Sequence, residues 1–234
     1  GDIYQIAKVF RQGEAGRRHN PEFSMLEWYR VGWTYEQLMD EVAELVVLML
    51  GQTADASEAE RPPRLTLSYQ QVLFEYAGID VQQATAEEIQ QKGIELAGGD
   101  LGLDRDGWLD VIMSHAVEPA LPRNTLVFVH EFPASQAALA RVVENESGQK
   151  VAQRFELFWN GSELANGYQE LTDAEEQARR FSLDGRLVDQ RLLDAMAHGL
   201  PECAGVAIGL DRILMHRLGV ETISEVLAFD WNRA

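Results

Sequence analysis

RFELFWNGSELANGYQE (residues 154–170) holds two apolar-polar alternating runs joined by Asn160-Gly161. That dipeptide supplies the positive φ values of a two-residue hairpin turn, so the segment predicts two antiparallel strands. With the turn at 160–161, residue 158 pairs with 163, and Glu156 shares a face with Glu163. Two carboxylates converging across one hairpin repel unless a cation lies between them, and hard oxygen ligands favour Mg²⁺. Two solvated surface acids are the other reading of this hairpin taken alone. Asn166, Tyr168 and Glu170 also share a face by alternation, but in a regular ladder it is the face opposite Glu163. If all five groups serve one site, a bulge between Glu163 and Asn166 is required, and Gly167 makes it easier.

Two other stretches carry chemistry. In FRQGEAGRRHNPEF (residues 10–23) a strand ends in Arg11, a Gly-containing polar loop follows, and Pro21 keeps Asn20 extended so that the chain returns as a strand. Such a loop can aim Arg and His at phosphate oxygens. Along the return strand Met25, Glu27 and Tyr29 fall on one face, where a carboxylate beside a phenol can cradle an ammonium group. In GVAIGLDR (residues 205–212) Gly205 and Gly209 permit close approach of backbone or ligand. Arg212 falls on the first turn of the following helix, where a guanidinium can lie on a ring or nucleobase.

The chain has 234 residues, of which 46% are hydrophobic, enough for one substantial core. The longest apolar run, Leu45 to Leu50, cannot span a bilayer, and the N-terminus has no signal-peptide order, so a cytoplasmic protein is expected. A formal charge of −18 opposes broad binding to nucleic acid. The basic cluster of Arg11, Arg17, Arg18 and His19 suits a compact polyphosphate instead, with a solvated turn as the alternative. Cys203 stands alone, which excludes an internal disulfide and reads as a buried structural thiol.

Capping-box pairs Thr34/Gln37, Ser68/Gln71, Thr85/Glu88 and Thr172/Glu175 predict helix starts, the first helix spanning 34–49 and stopping at Gly51. Residues 66–122 are expected to be mainly helical. The Ala/Ser/Glu/Pro-rich stretch 52–64 predicts a surface loop, and Asp100, Asp104, Asp106 and Asp110 a solvated acidic loop rather than a calcium site. A last helix before the Gly-rich segment is expected near Val188 to His198. Elements alternate irregularly, which suits an α+β fold with an antiparallel sheet.

Taken together, the three blocks resemble the catalytic domain of class II lysyl-tRNA synthetases: residues 10–23 resemble motif 2, residues 205–212 motif 3, and residues 163–171 the lysine-binding strand. Within that family the likeness is strongest to the truncated paralogues that act as elongation factor P–(R)-β-lysine ligases. RRHNPEF (17–23), MLEWYR (25–30) and FPASQAALA (132–140) carry it. Ala207 stands where lysyl-tRNA synthetases have Gly, an exchange associated in the paralogues with a pocket for a β-amino acid.

The resemblance implies one class II catalytic domain over 1–234, an antiparallel sheet flanked by helices, with motif 1 and its dimer-forming portion not included. It implies that Arg11 and Arg212 are catalytic, Arg11 gripping the α-phosphate and carboxylate, and that His19 reaches the distal phosphates. Phe23 and Arg212 would sandwich adenine, with Asn20 and Gly209 also at the ATP site, and Glu156 and Glu163 would hold Mg²⁺. Glu27, Tyr29, Asn166, Tyr168, Glu170 and Ala207 would line the amino-acid pocket. Motif 2 in this class reads Arg-x-Glu, whereas here Gly13 fills that place, so the adenine contact is assigned to Glu14. ATP, Mg²⁺, lysine or β-lysine, elongation factor P as acceptor and a homodimer in the intact protein are the implied partners, with no membrane and no tRNA. A lysyl-tRNA synthetase catalytic fragment and a non-catalytic ATP-binding paralogue are the competing readings.

Overall fold

Capping boxes set the starts of three helices in the computed structural model, which describes residues 1–51, 57, 60–183 and 188–233. Thr34, Ser68 and Thr85 each accept from the backbone N–H three residues on, while Gln37, Gln71 and Glu88 reach back to the cap. Each satisfies two otherwise orphaned donors, and its loss costs about 1 kcal/mol.

Along the chain, β1 (Ile3–Phe10) and β2 (Glu22–Val31) form a hairpin ahead of α1 (Tyr35–Met49). Next come β3 (Arg64–Ser68), α2 (Tyr69–Val72) with a π turn over Leu73–Ala77, α3 (Ala86–Ala97) and α4 (Arg105–Ile112). A second π turn (Met113–Val117) runs into the short α5 (Glu118–Ala120). Then follow β4 (Leu126–Pro133), β5 (Val142–Glu144), β6 (Lys150–Trp159) and β7 (Ser162–Gln169). The chain finishes with α6 (Ala174–Leu183), α7 (Gln190–Ala197), β8 (Cys203–Gly209) and α8 (Leu210–Leu218). The sheet order is β1-β2-β8-β7-β6-β4-β3, with β5 on β6. Every pairing is antiparallel except β3 with β4.

Two cores cover the sheet unequally. On one face α1 lays Leu38, Val42 and Val46, all fully buried, against Phe128, Phe155, Leu157, Val206 and Ile208. That spacing is one helical stripe, and each such side chain is worth about 1.5–3 kcal/mol in burial. On the other face α2 to α5 cover only the β3-β4-β6 end, through Val127, Val129, Phe132 and Phe158. The β2-β8-β7 part of that second face carries no helix in this core, and polar side chains project from it.

Three expectations need correction. Residues 64–68 form β3, so the segment 66–122 opens on a strand; five residues of alternation are too short to register beside the helix cap at Ser68. Asp106 and Asp110 lie within α4 and Asp104 caps it, so the acidic stretch is mostly helical. The sixth helix is capped by Asp173, which accepts from the N–H groups of Glu175 and Glu176, and not by Thr172, whose hydroxyl donates to Glu202. The bulge predicted on β7 between Glu163 and Asn166 is present there, at Leu164, while Gly167 pairs regularly with Phe155 and Val206. The loop predicted over 52–64 falls largely on residues outside those described. Cys203 is buried and its thiol is pushed up to about 11 by burial, as suits a structural residue. Among the described residues no helix is long and apolar enough to cross a membrane.

Candidate active site

The hairpin turn forms at Asn160 and Gly161, with φ of 52° and 73°, and Phe158 pairs with Glu163. Leu157 pairs with Ala165, so Leu164 is the extra residue of a bulge. The bulge shifts alternation by one, and Glu163 and Asn166 thereby come onto the same face. Across the sheet this face is organised in rows. One row runs Glu27, Ala207, Asn166, Glu156; the next runs Tyr29, Gly205, Tyr168, Arg154; Met25 and Gly209 begin a third.

A cavity of about 240 Å³ opens over the Glu27 and Met25 rows. Arg11, Glu14, His19, Asn20 and Phe23 line it from the β1-β2 loop. Glu156, Glu163 and Asn166 come from the hairpin, and Ala207, Gly209 and Arg212 from β8 and α8. Arg11 and Arg212, 201 positions apart in the chain, thus share one cavity because β2 pairs with β8. Outside its lining lie Glu27, at the β2 end of the row beneath it, and Tyr29, Tyr168 and Glu170, farther along the same face.

Arg212 donates from Nη1 to the Glu163 carbonyl (2.7 Å) and approaches its carboxylate at 3.5 Å. Its Nη2 meets His19 Nε2 at 2.7 Å, which requires that nitrogen to accept and the ring to be neutral. Burial and then the Arg212 charge hold His19 below its ordinary pKa, in agreement with that tautomer. Arg11 pairs with Glu14 at 3.7 Å, and its guanidinium lies 5.2 Å from the centroid of Phe23. Asn20 is buried with its amide engaged by the Glu22 carbonyl and the Trp231 N–H, so it also fixes the loop.

Burial, followed by the neighbouring Glu163 charge, pushes the Glu156 carboxyl above the usual range against the opposing pull of Arg154. A pair of carboxylates so placed calls for a cation. Among the described residues no group of three His, Cys, Asp or Glu side chains could hold one. Two protein oxygens with the rest supplied by phosphates and water is the habit of Mg²⁺, so the donor set fits that ion.

Farther along, Glu170 and Tyr29 close on the Gly205 backbone. A methyl group there would meet Glu170 Oε1 at 2.3 Å and the Tyr29 ring at 2.6 Å, so glycine is what lets the two groups approach. Burial alone raises the Glu170 carboxyl to about 8; burial first, then Glu170 and Glu27, raise the Tyr29 hydroxyl to about 12. A buried acid beside a phenol, short of a positive partner, can accommodate an ammonium group.

Sequence reasoning left two residues without a role. Arg154 pairs with Glu156, donates to Asn166 Oδ1 (3.3 Å) and the Gln136 carbonyl (2.8 Å), and lies 4.4 Å from the Phe132 centroid. Its alternation with Glu156 was the signal available. Asp211, buried beside Arg212, accepts the Ser24 N–H at 2.6 Å and anchors β2 to α8. Nothing local in sequence marks that contact.

Comparison with known proteins agrees with this geometry. The family described as tRNA synthetases class II (D, K and N) matches residues 1–233. An elongation factor P–(R)-β-lysine ligase of Yersinia enterocolitica is 43% identical over all of this chain and 73% of its own length. One from Histophilus somni is 44% identical over 98% of this chain and 71% of the relative, and one from Salmonella typhi 41% over 100% and 73%. With the bulged hairpin, the two-arginine cavity and the adjoining acid pocket on one sheet face, the chain belongs to the class II tRNA synthetase family and, within it, to the elongation factor P–(R)-β-lysine ligases.

Proposed function

We propose that this chain activates (R)-β-lysine, or lysine, with ATP to an aminoacyl-adenylate and passes the acyl group to a lysine side chain of elongation factor P. The observation that carries the reading is the adjacency of two unlike subsites on one sheet face. A cavity of guanidinium, imidazole and paired carboxylates, suited to a metal-bound triphosphate, borders a buried acid-phenol pocket suited to an ammonium group.

In this reading the amino-acid carboxylate attacks the α-phosphorus in line, the bond to the bridging oxygen breaks, and pyrophosphate leaves. Positioning and charge neutralisation suffice for such a step, and no side-chain nucleophile is needed. Arg11 turns from Phe23 to the α-phosphate and carboxylate, leaving the ring face to adenine, with Arg212 opposite. Glu14 takes the adenine amino group. His19 meets the distal phosphates and gains a proton as their charge replaces the Arg212 field. Gly209 lets the nucleotide approach, and Asn20 fixes the loop that carries these groups. Mg²⁺, held by Glu156 and Glu163, would neutralise the phosphates. Glu170 and Tyr29 take an ammonium group, while Glu27, Asn166, Tyr168 and Ala207 set the shape of the pocket. In the second half-reaction an acceptor amine attacks the carbonyl carbon, the bond to the phosphate oxygen breaks, and AMP leaves.

A homodimer belongs to this reading. Its support is β1, an edge strand that exposes Ile3, Tyr4, Ile6 and Phe10. The cytoplasm, where an elongation factor works, is the compartment it assigns. The test is amino-acid-dependent pyrophosphate exchange with lysine and with (R)-β-lysine, followed by transfer to elongation factor P. Exchange with either amino acid and transfer to the factor is the expected result; no exchange with either would overturn it, and charging of tRNA in place of the factor would favour a synthetase.

A further inference from the structure

On the β6 side of the site a second cavity, of about 530 Å³, shares Arg154, Glu156 and Glu163 with the first. It runs on beside α4 and the Met113–Val117 turn toward the start of α2. Its wall is apolar on one side: Tyr69 and Phe132 pack with centroids 4.8 Å apart, and Leu103 and Met113 extend that surface. On the other side the carboxylates of Asp110 and Glu118 join those of Glu156 and Glu163, opposed within the lining by the guanidinium of Arg154.

Tyr69 is the informative residue. It is 1% exposed, lines this cavity, and its hydroxyl has no hydrogen-bond partner among the described residues. Gln136 stands near enough to moderate the burial that raises the phenol. Its amide, however, is already donated to Asp110 Oδ1 (3.0 Å) and toward the Asp106 carbonyl (3.4 Å). A buried hydroxyl left unpaired destabilises a fold, and phenylalanine would pack the same ring without that penalty. The oxygen is therefore placed for something that enters.

We propose that this cavity receives the acceptor, as an extended lysine side chain whose ammonium is held by Asp110 and the Tyr69 oxygen and whose aliphatic stem lies along Phe132 and Met113. The inference rests on the adenylate-forming reading above and adds the route of its second substrate. A bare divalent ion would want an all-oxygen shell, whereas a half-apolar, half-acidic channel matches an alkylammonium group. The row Glu27–Ala207–Asn166–Glu156 ends where the two cavities meet. An amine moving past Glu156 therefore arrives level with the amino-acid pocket.

Tyr69→Phe and Asp110→Asn test this in the full chain, with elongation factor P as the acceptor. The first deletes only the unpartnered oxygen; the second keeps an oxygen for Gln136. Pyrophosphate exchange and trapping of the adenylate by hydroxylamine, an uncharged amine at neutral pH, should stay within about twofold of the unaltered chain. The KM for elongation factor P should rise about tenfold or more in each variant. Melting temperature should hold or rise in Tyr69→Phe. Unchanged transfer in both variants, exchange falling in parallel with transfer, or a shifted Mg²⁺ requirement for exchange would each overturn the assignment while leaving adenylate formation standing. Absence of exchange in the unaltered chain would overturn the parent reading and this one together.

Discussion

Glu170 offers a sharp thermodynamic test because burial alone sets its protonation. With its carboxyl raised to about 8, the empty site is neutral at pH 7, yet an arriving ammonium group favours the carboxylate, so binding must release a proton. The apparent affinity for lysine or β-lysine should then climb about tenfold per pH unit below 7.5 or so, and about 50-fold from pH 6 to pH 8. Calorimetry at pH 7 in buffers of different ionisation enthalpy should report close to one proton released per ligand. Glu170→Gln should weaken binding and flatten the profile. A pH-independent affinity in the unaltered chain, with buffer-independent heats, would refute both the raised carboxyl and its part in holding the ammonium. The sign of the stability effect follows from the same shift. A carboxyl whose folded pKa lies above its unfolded value is tolerated while neutral, so its burden on the native state grows as pH rises from about 4.3 to about 8. Glu170→Gln should match the unaltered chain near pH 4 and exceed it by about 3–5 kcal/mol above pH 8 in urea unfolding.

Glu163→Gln should reduce pyrophosphate exchange by about 100-fold or more while the unfolding midpoint holds; near-normal exchange would remove this residue from the metal role. Gly209→Ala separates ligand from fold: a methyl group there meets nothing within 4 Å, so stability should be unchanged while ATP affinity falls about tenfold or more. Gly205→Ala should behave oppositely, because the added carbon meets Glu170 and Tyr29 at contact distances no side chain adopts; loss of about 1–3 kcal/mol of stability together with weakened lysine binding is expected. Leu38→Ala in α1, fully buried against the sheet, should cost about 2–5 kcal/mol by denaturant titration without altering exchange in the fraction that remains folded.

What sequence made legible was local or periodic. Asn160-Gly161 fixed a turn because few other dipeptides adopt two successive positive φ values, and the need for a bulge followed from counting faces on either side of it. Its place between Glu163 and Asn166 followed from the same count, and Leu164 takes it because Leu164 and Ala165 both pack on the α1 side. Capping boxes at Thr34, Ser68 and Thr85 were readable from two residues each, whereas Asp173 displaced Thr172 because a neighbouring carboxylate offered a competing cap. Strand β3 escaped notice since its pairing partner lies about 60 residues on and parallel ladders leave no hairpin signature. Most cavity residues within the motifs were found; Arg154 and Asp211, although inside the quoted stretches, take their roles from long-range contacts with Gln136 and Ser24 and were not.

Pairing of β2 with β8 brings residues 25–31 against 203–209. Closing so long a loop is entropically unfavourable until the intervening layers are in place. During vectorial synthesis the first hairpin must wait, with its arginine loop exposed, until β8 has left the ribosome. A nascent chain that still lacks β8 and α8 cannot assemble that cavity, because Arg11 and Arg212 come together only once residues 203–212 are in place.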